Sequence, residues 1–81
     1  MFGFPVPAKN EIAVSTVAEE ESVITVRILD VRGITIIDRD FCTAAGDNLL
    51  RVNLKNVPSG TYVIQAGRGT ETLFSTRFIK D

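Results

Sequence analysis

Asn56-Val57-Pro58-Ser59-Gly60-Thr61-Tyr62-Val63-Ile64-Gln65-Ala66-Gly67-Arg68-Gly69, running on to Leu73-Phe74-Ser75-Thr76-Arg77-Phe78-Ile79-Lys80, decides how the chain folds. A turn at residues 56–60 precedes an alternating run over residues 61–66. A glycine turn at 67–69 then leads into a closing run over 73–80. Side chains of an extended chain alternate between faces, so Tyr62, Ile64 and Ala66 share one side. No helical period is present. In the closing run Phe74, Thr76 and Phe78 fall on one side, and Leu73, Ser75, Arg77 and Ile79 on the other, so burial could be split between faces. That ambiguity suits an edge strand, where Arg77 and Lys80 discourage unwanted pairing.

Upstream, the same pattern repeats. Residues 11–16 alternate with Ile12 and Val14 on one side, and residues 23–30 place Ile24, Val26 and Ile28 toward a core. Asp30-Val31-Arg32-Gly33 then reads as a turn, because an aspartate at its first position bonds the following amides and a glycine at its fourth accepts left-handed geometry. Residues 34–39 form a third strand that includes Ile36. Phe41 and Cys42 are expected to pack beneath the connection that follows. Residues 48–54 alternate most clearly, with Leu50, Val52 and Leu54 inward.

Short strands about every ten residues, without a helix, indicate an all-β fold: an immunoglobulin-like antiparallel β-sandwich of six to seven short strands. The expected core is Ile24, Val26, Ile28, Ile36, Leu50, Val52, Leu54, Tyr62, Ile64 and Phe78. Residues 1–10, with Pro5 and Pro7, read as a stiffened lead-in, and residues 11–81 as the single domain.

Composition narrows the function. The 81 residues are 44% apolar, enough for one core, and nine basic against ten acidic residues leave a net charge of −1. Phosphate backbones demand a denser basic patch, so nucleic acid is not an expected partner. The chain has no histidine and a single cysteine, Cys42, which removes the usual zinc spacings and His-based catalytic pairs. Cys42 is expected to be buried and inert. Glu19-Glu20-Glu21 reads as a solvated loop rather than a cation site, since consecutive glutamates point apart. Gly67-Arg68-Gly69-Thr70 is a turn and not a phosphate cradle, because a strand and not a helix follows it. The reading therefore holds no enzyme activity, cofactor, metal or small-molecule substrate.

Four motifs in order carry a resemblance. Pro5-Val6-Pro7-Ala8 precedes a strand. Ile28-Leu29-Asp30-Val31-Arg32-Gly33 is a strand followed by an Asp-x-x-Gly turn. Leu54-Lys55-Asn56-Val57-Pro58-Ser59-Gly60-Thr61-Tyr62 is similar to a Leu-x-x-Leu-x-x-Gly-x-Tyr block, and Thr76-Arg77-Phe78-Ile79-Lys80 to a basic-Phe-aliphatic-basic ending. Together they resemble the C-terminal sorting domains of the type IX secretion system of Bacteroidetes. Val6 departs from the family, which usually has Asn between the prolines.

The resemblance implies a non-catalytic signal appended to a cargo. The cargo folds in the periplasm, is recognised by an outer-membrane translocon or shuttle, and reaches the cell surface or the medium. A sortase usually removes the domain. By the same match Gly60, Tyr62, Arg77, Phe78 and Lys80 are the expected recognition residues, and Pro5, Pro7, Asp30 and Gly33 the motif residues of the lead-in and turn. For Gly60 and Tyr62 the plainer reading is structural, as turn glycine and core ring. The alternative function is an immunoglobulin-like spacer or binding module of a secreted adhesin or hydrolase. Exposed edges also imply that the isolated domain dimerises or swaps strands at high concentration.

Overall fold

The computed structural model describes residues 10–81. Pro5, Pro7 and the rest of the proline lead-in lie outside the described residues. Six strands follow: β1 (Glu11–Ala18), β2 (Ser22–Leu29), β3 (Thr35–Thr43), β4 (Gly46–Asn53), β5 (Gly60–Arg68) and β6 (Glu71–Lys80). They form a four-stranded sheet in the order β3-β2-β5-β6 and a two-stranded sheet of β1 and β4, with every pairing antiparallel. The two sheets close as a β-sandwich, and β6 is an edge strand.

The interior is made by alternation. Ile12, Val14, Leu50 and Val52 from the small sheet meet Ile24, Val26, Ile28, Tyr62, Ile64, Ala66 and Phe78 from the large one. Leu54 and Val57, just beyond β4, close the core under the crossover to β5. The crossover is anchored where it leaves β4: Leu54 donates its amide to the carbonyl of Asn10 at 2.8 Å, and Val57 donates to the carbonyl of Leu54 at 3.0 Å. Phe78, Ile12 and Ile28 are among the largest wholly enclosed side chains, and truncating such a residue to alanine costs about 2 to 5 kcal/mol.

Three expectations need correction. Ile36 is exposed, and Ile37 packs against the core in its place. The cause is a register shift: Ile28 lies opposite Ile37, but Leu29 lies opposite Thr35, so Ile36 is the extra residue of a bulge. One inserted residue exchanges the faces of its neighbours. The connection expected after Phe41 and Cys42 is shorter than its sequence suggests: β3 runs on through Thr43, and only Ala44 and Ala45 separate it from β4. Asn48 ties this short link by accepting from the Ala44 amide at 3.1 Å and donating to the Ala44 carbonyl at 2.8 Å. Cys42 is consequently exposed rather than buried: it lies opposite Val23 on the outer face, while its neighbours Phe41 and Thr43 turn inward.

Burial on β6 is one-sided. Phe74, Thr76, Phe78 and Lys80 are at least half-buried, whereas Leu73, Ser75, Arg77 and Ile79 are exposed.

Candidate functional site

The last hairpin is closed by Gly69 and Thr70, a tighter turn than residues 67–69 suggest. Gly69 adopts φ +60, the left-handed geometry that a two-residue hairpin turn requires. Gly67 is needed for a different reason. A Cβ there would stand 2.6 Å from the carbonyl oxygen of Glu71, so only a bare backbone fits beside the bulge between Ala66 and Gly67.

The register of this hairpin brings the expected recognition residues together. Gly60 lies opposite Lys80, Tyr62 opposite Phe78, and Val63 opposite Arg77. Four of the five candidates thus form two cross-strand pairs. The Tyr62 and Phe78 rings meet at 5.8 Å with their planes tilted by 30°, a packed aromatic pair on the core face. Their side chains are 8% and 1% exposed, so neither ring is open to a partner while the sandwich is intact.

Tyr62 has a second attachment. Its hydroxyl donates to the carbonyl of Pro58 at 2.6 Å, four residues upstream, and so ties the crossover to the start of β5. This is the arrangement of a tyrosine corner, the pin found where Greek-key strands change sheets in immunoglobulin-like sandwiches. The Pro58-Ser59-Gly60-Thr61-Tyr62 spacing therefore has a structural cause.

Arg77 and Lys80 differ in setting. Arg77 stands on the outer face, Lys80 follows the inward parity of Phe78 and is half-buried, and neither forms an ion pair among the described residues. Arg77 lines a shallow depression with Leu29, Val63, Gln65 and the turn residues Asp30 and Gly33. Residues far apart in sequence, the Asp-x-x-Gly turn and the terminal arginine, thus share one surface.

The turn itself is well held. One Asp30 carboxylate oxygen accepts from the amides of Arg32 at 2.9 Å and Ile34 at 3.0 Å, and the other pairs with the Arg32 guanidinium at 2.9 Å. Gly33 takes φ +86 and donates its amide to the Asp30 carbonyl at 3.0 Å. The Ile34 amide above all holds the Asp30 carboxyl below its ordinary range; desolvation opposes it, and the Arg32 side chain and amide add smaller lowering effects. These bonds use the carboxylate fully for the turn.

Among the described residues no cluster of three or more Cys, His, Asp or Glu side chains could hold a metal ion. No buried side-chain polar atom among them lacks a partner.

Comparison with known proteins supplies the family. The family described as the secretion system C-terminal sorting domain matches residues 3–81, nearly the whole chain. The chain belongs to this family, the C-terminal sorting domains of type IX secretion. Such a tail implies export across the outer membrane, to the surface or the medium, and interaction with the secretion machinery. No curated protein matches the chain significantly.

Among solved structures, a β-glucosidase from Kluyveromyces marxianus is similar at 16% identity and a TM-score of 0.62, over 98% of this chain and 14% of that one. A β-glucosidase from Listeria innocua, in complex with isofagomine, is similar at 12% identity and a TM-score of 0.54, over 96% of this chain and 15% of that one. The chain spans only about a seventh of either enzyme. At these identities the likeness is one of fold.

Proposed function

We propose that the domain is a non-catalytic address: carried at the end of a cargo, it is recognised in the periplasm by the type IX translocon or its shuttle. The cargo then crosses the outer membrane, and a sortase removes the domain and attaches the cargo at the surface. The observation that carries this reading is the family match over residues 3–81, together with an exposed Arg77 on an edge strand. Residues 11–81 are the folded address, and residues 1–10 the lead-in from the cargo.

Within the address the five candidates divide by role. Arg77 and Lys80 offer charge to a partner. Tyr62 and Phe78 act indirectly, by holding β6 on the sheet, and Gly60 starts the strand that Lys80 faces. An edge strand accepts a partner strand through its backbone, with alternate side chains supplying selectivity. Because Arg77 and Lys80 follow opposite faces of β6, a strand added along the edge meets both, whereas a partner lying on one face meets one.

A spacer is the second reading, favoured by one observation: the same fold forms about a seventh of two β-glucosidases. A reporter with a periplasmic signal and this domain at its C-terminus separates the two in a type IX-competent host. An address brings the reporter to the cell surface, and a spacer leaves it in the periplasm. With Arg77→Ala and Lys80→Ala tested singly and together, loss in both single variants supports edge reading. Loss in one alone supports docking on that face. Full display in the folded double variant overturns the charge assignment.

A further inference from the structure

Every strand at a sheet edge in this fold carries charge along its length except one. β3 has Asp38, Arg39 and Asp40; β4 has Asp47 and Arg51; β6 has Glu71, Arg77 and Lys80. β1 has only Glu11 at its start, and the run Ile12-Ala13-Val14-Ser15-Thr16-Val17-Ala18 contains no charge, no proline and no glycine. Proteins ordinarily blunt an edge with such residues, because an unprotected strand is a template for another. The sheet that β1 borders is also narrow. Among the described residues two strands face four, where a constant-type immunoglobulin sandwich sets three against four.

The backbone groups available on this edge follow from one bond. Leu54 donates to the Asn10 carbonyl, and in the β1–β4 register these two residues are opposite each other, so they form a hydrogen-bonded pair. Pairs alternate along an antiparallel ladder. Ile12, Val14 and Thr16 therefore bond toward β4, and the amides and carbonyls of Glu11, Ala13, Ser15 and Val17 point away from it.

We infer that this edge pairs antiparallel with β1 of a second copy of the chain, in a register centred on Val14. Faces match across a two-fold axis only when the axis passes through a residue. Centred on Val14, the pairing sets Ala13 opposite Ser15, Ile12 opposite Thr16 and Glu11 opposite Val17, with no charges opposed. Centred one residue later, it would set Glu11 opposite Glu19, and like charges directly opposite are destabilising. The Val14 register joins the two small sheets into one of four strands, β4-β1-β1-β4. A net charge of −1 adds little repulsion between copies. A single added strand pair is a small interface, and contacts at the low end of the size range associate weakly. This inference is independent of the sorting reading.

Sedimentation equilibrium of the 81-residue chain from micromolar to millimolar concentration tests it. The expected result is a monomer–dimer equilibrium. It weakens at least tenfold in an Ala13→Lys, Ser15→Lys variant, which opposes lysines twice across the axis, and persists in Leu73→Lys on the β6 edge. Both variants are first checked for native circular dichroism; if the double variant unfolds, Ser15→Lys alone replaces it. In a Cys42→Ser background, a mixture of Ala13→Cys and Ser15→Cys chains should form a mixed disulfide that neither chain forms alone, since a hydrogen-bonded pair separates Cα atoms by about 5.5 Å. A monomer throughout, association insensitive to the β1 lysines, or crosslinking of Ser15→Cys with itself overturns the proposal.

Discussion

Replacing Tyr62 with phenylalanine removes one oxygen atom and tests whether the tyrosine corner holds this fold together. The ring stays between the crossover and Phe78, so no cavity forms, and the change is confined to the 2.6 Å bond to the Pro58 carbonyl. A hydrogen bond of this kind contributes about 0.5 to 1.5 kcal/mol net. Pro58 is exposed, so water can satisfy its carbonyl in the variant, and the expected loss sits near 1 kcal/mol rather than above the range. For a domain of this size about 1 kcal/mol lowers the melting temperature by roughly 4 to 8 °C. Thermal and urea unfolding followed by far-UV circular dichroism read the change, with the urea slope unaltered because the surface exposed on unfolding is unaltered. Tyr62→Ala, which also empties the ring site, should lose about 3 to 5 kcal/mol, much of a small domain's stability. A Tyr62→Phe melting temperature within about 1 °C of the parent would refute the corner as a structural pin. A stable Tyr62→Phe domain that no longer displays its cargo would instead make the hydroxyl part of the address.

The hairpin glycines should separate by mechanism: Gly67→Ala, whose Cβ would meet the Glu71 carbonyl at 2.6 Å, should lower the urea midpoint by the equivalent of about 1 to 3 kcal/mol. Gly69→Ala meets nothing within 4 Å and carries only the strain of φ +60, about 1 to 2 kcal/mol, so equal losses with no backbone shift at 67 would refute the clash. Asp30 contributes a pH dependence, because its carboxyl is held below the ordinary value by bonds that exist only in the folded turn. Its stabilisation is complete above the unfolded value near 4 and is lost as pH falls through the lower folded value. The gap in melting temperature between the parent and Asp30→Ala should therefore shrink from pH 6 to pH 2, and a constant gap would contradict the turn's ionic origin. Ile36→Ser, at the bulge, should change stability by less than about 0.5 kcal/mol, and Ile37→Ser should destabilise clearly. Cys42, exposed on the outer face, should react stoichiometrically with a thiol reagent in the absence of denaturant.

What sequence reading could and could not reach follows from the length scale of each signal. Alternation is a period of two residues, so it identified the core faces of β2, β4 and β5, and nine of the ten expected core residues are buried. It failed at Ile36-Ile37. Two adjacent isoleucines suit either face, and the choice depends on a bulge whose partner, Leu29, lies on another strand. The end of β3 was missed for a related reason: Phe41-Cys42-Thr43 is a short alternation after three charged residues, and only pairing with Ser22, Val23 and Ile24 makes it a strand. Val57 looked like part of a turn and became core because Leu54 and the Asn10 carbonyl fix the crossover above it. The candidate positions could be named from the motifs alone. The geometry of the site could not, since the pairing of Gly60 with Lys80 and Tyr62 with Phe78 depends on a bulge at Gly67 that displaces the ladder by one residue.

That geometry decides which experiment can locate the address. Removing the last strand deletes Arg77 and Lys80, but it also deletes Phe78, among the largest side chains wholly enclosed in the core, and strips β5 of one of its two partners. The expected loss of stability is comparable to the whole stability of a domain of this size, so a truncated domain fails to display cargo whether or not β6 is read. The charge variants avoid this. An exposed Arg77 makes no ion pair among the described residues, and its replacement by alanine leaves the Tyr62–Phe78 pair and the β5–β6 ladder in place. Phe78→Leu completes the set, since it keeps an apolar side chain in the core at a cost of about 1 to 2 kcal/mol while removing the aromatic ring. Display retained in Phe78→Leu and lost in folded Arg77→Ala would place the address on the surface of β6. The reverse outcome would place it in the ring that the sandwich encloses.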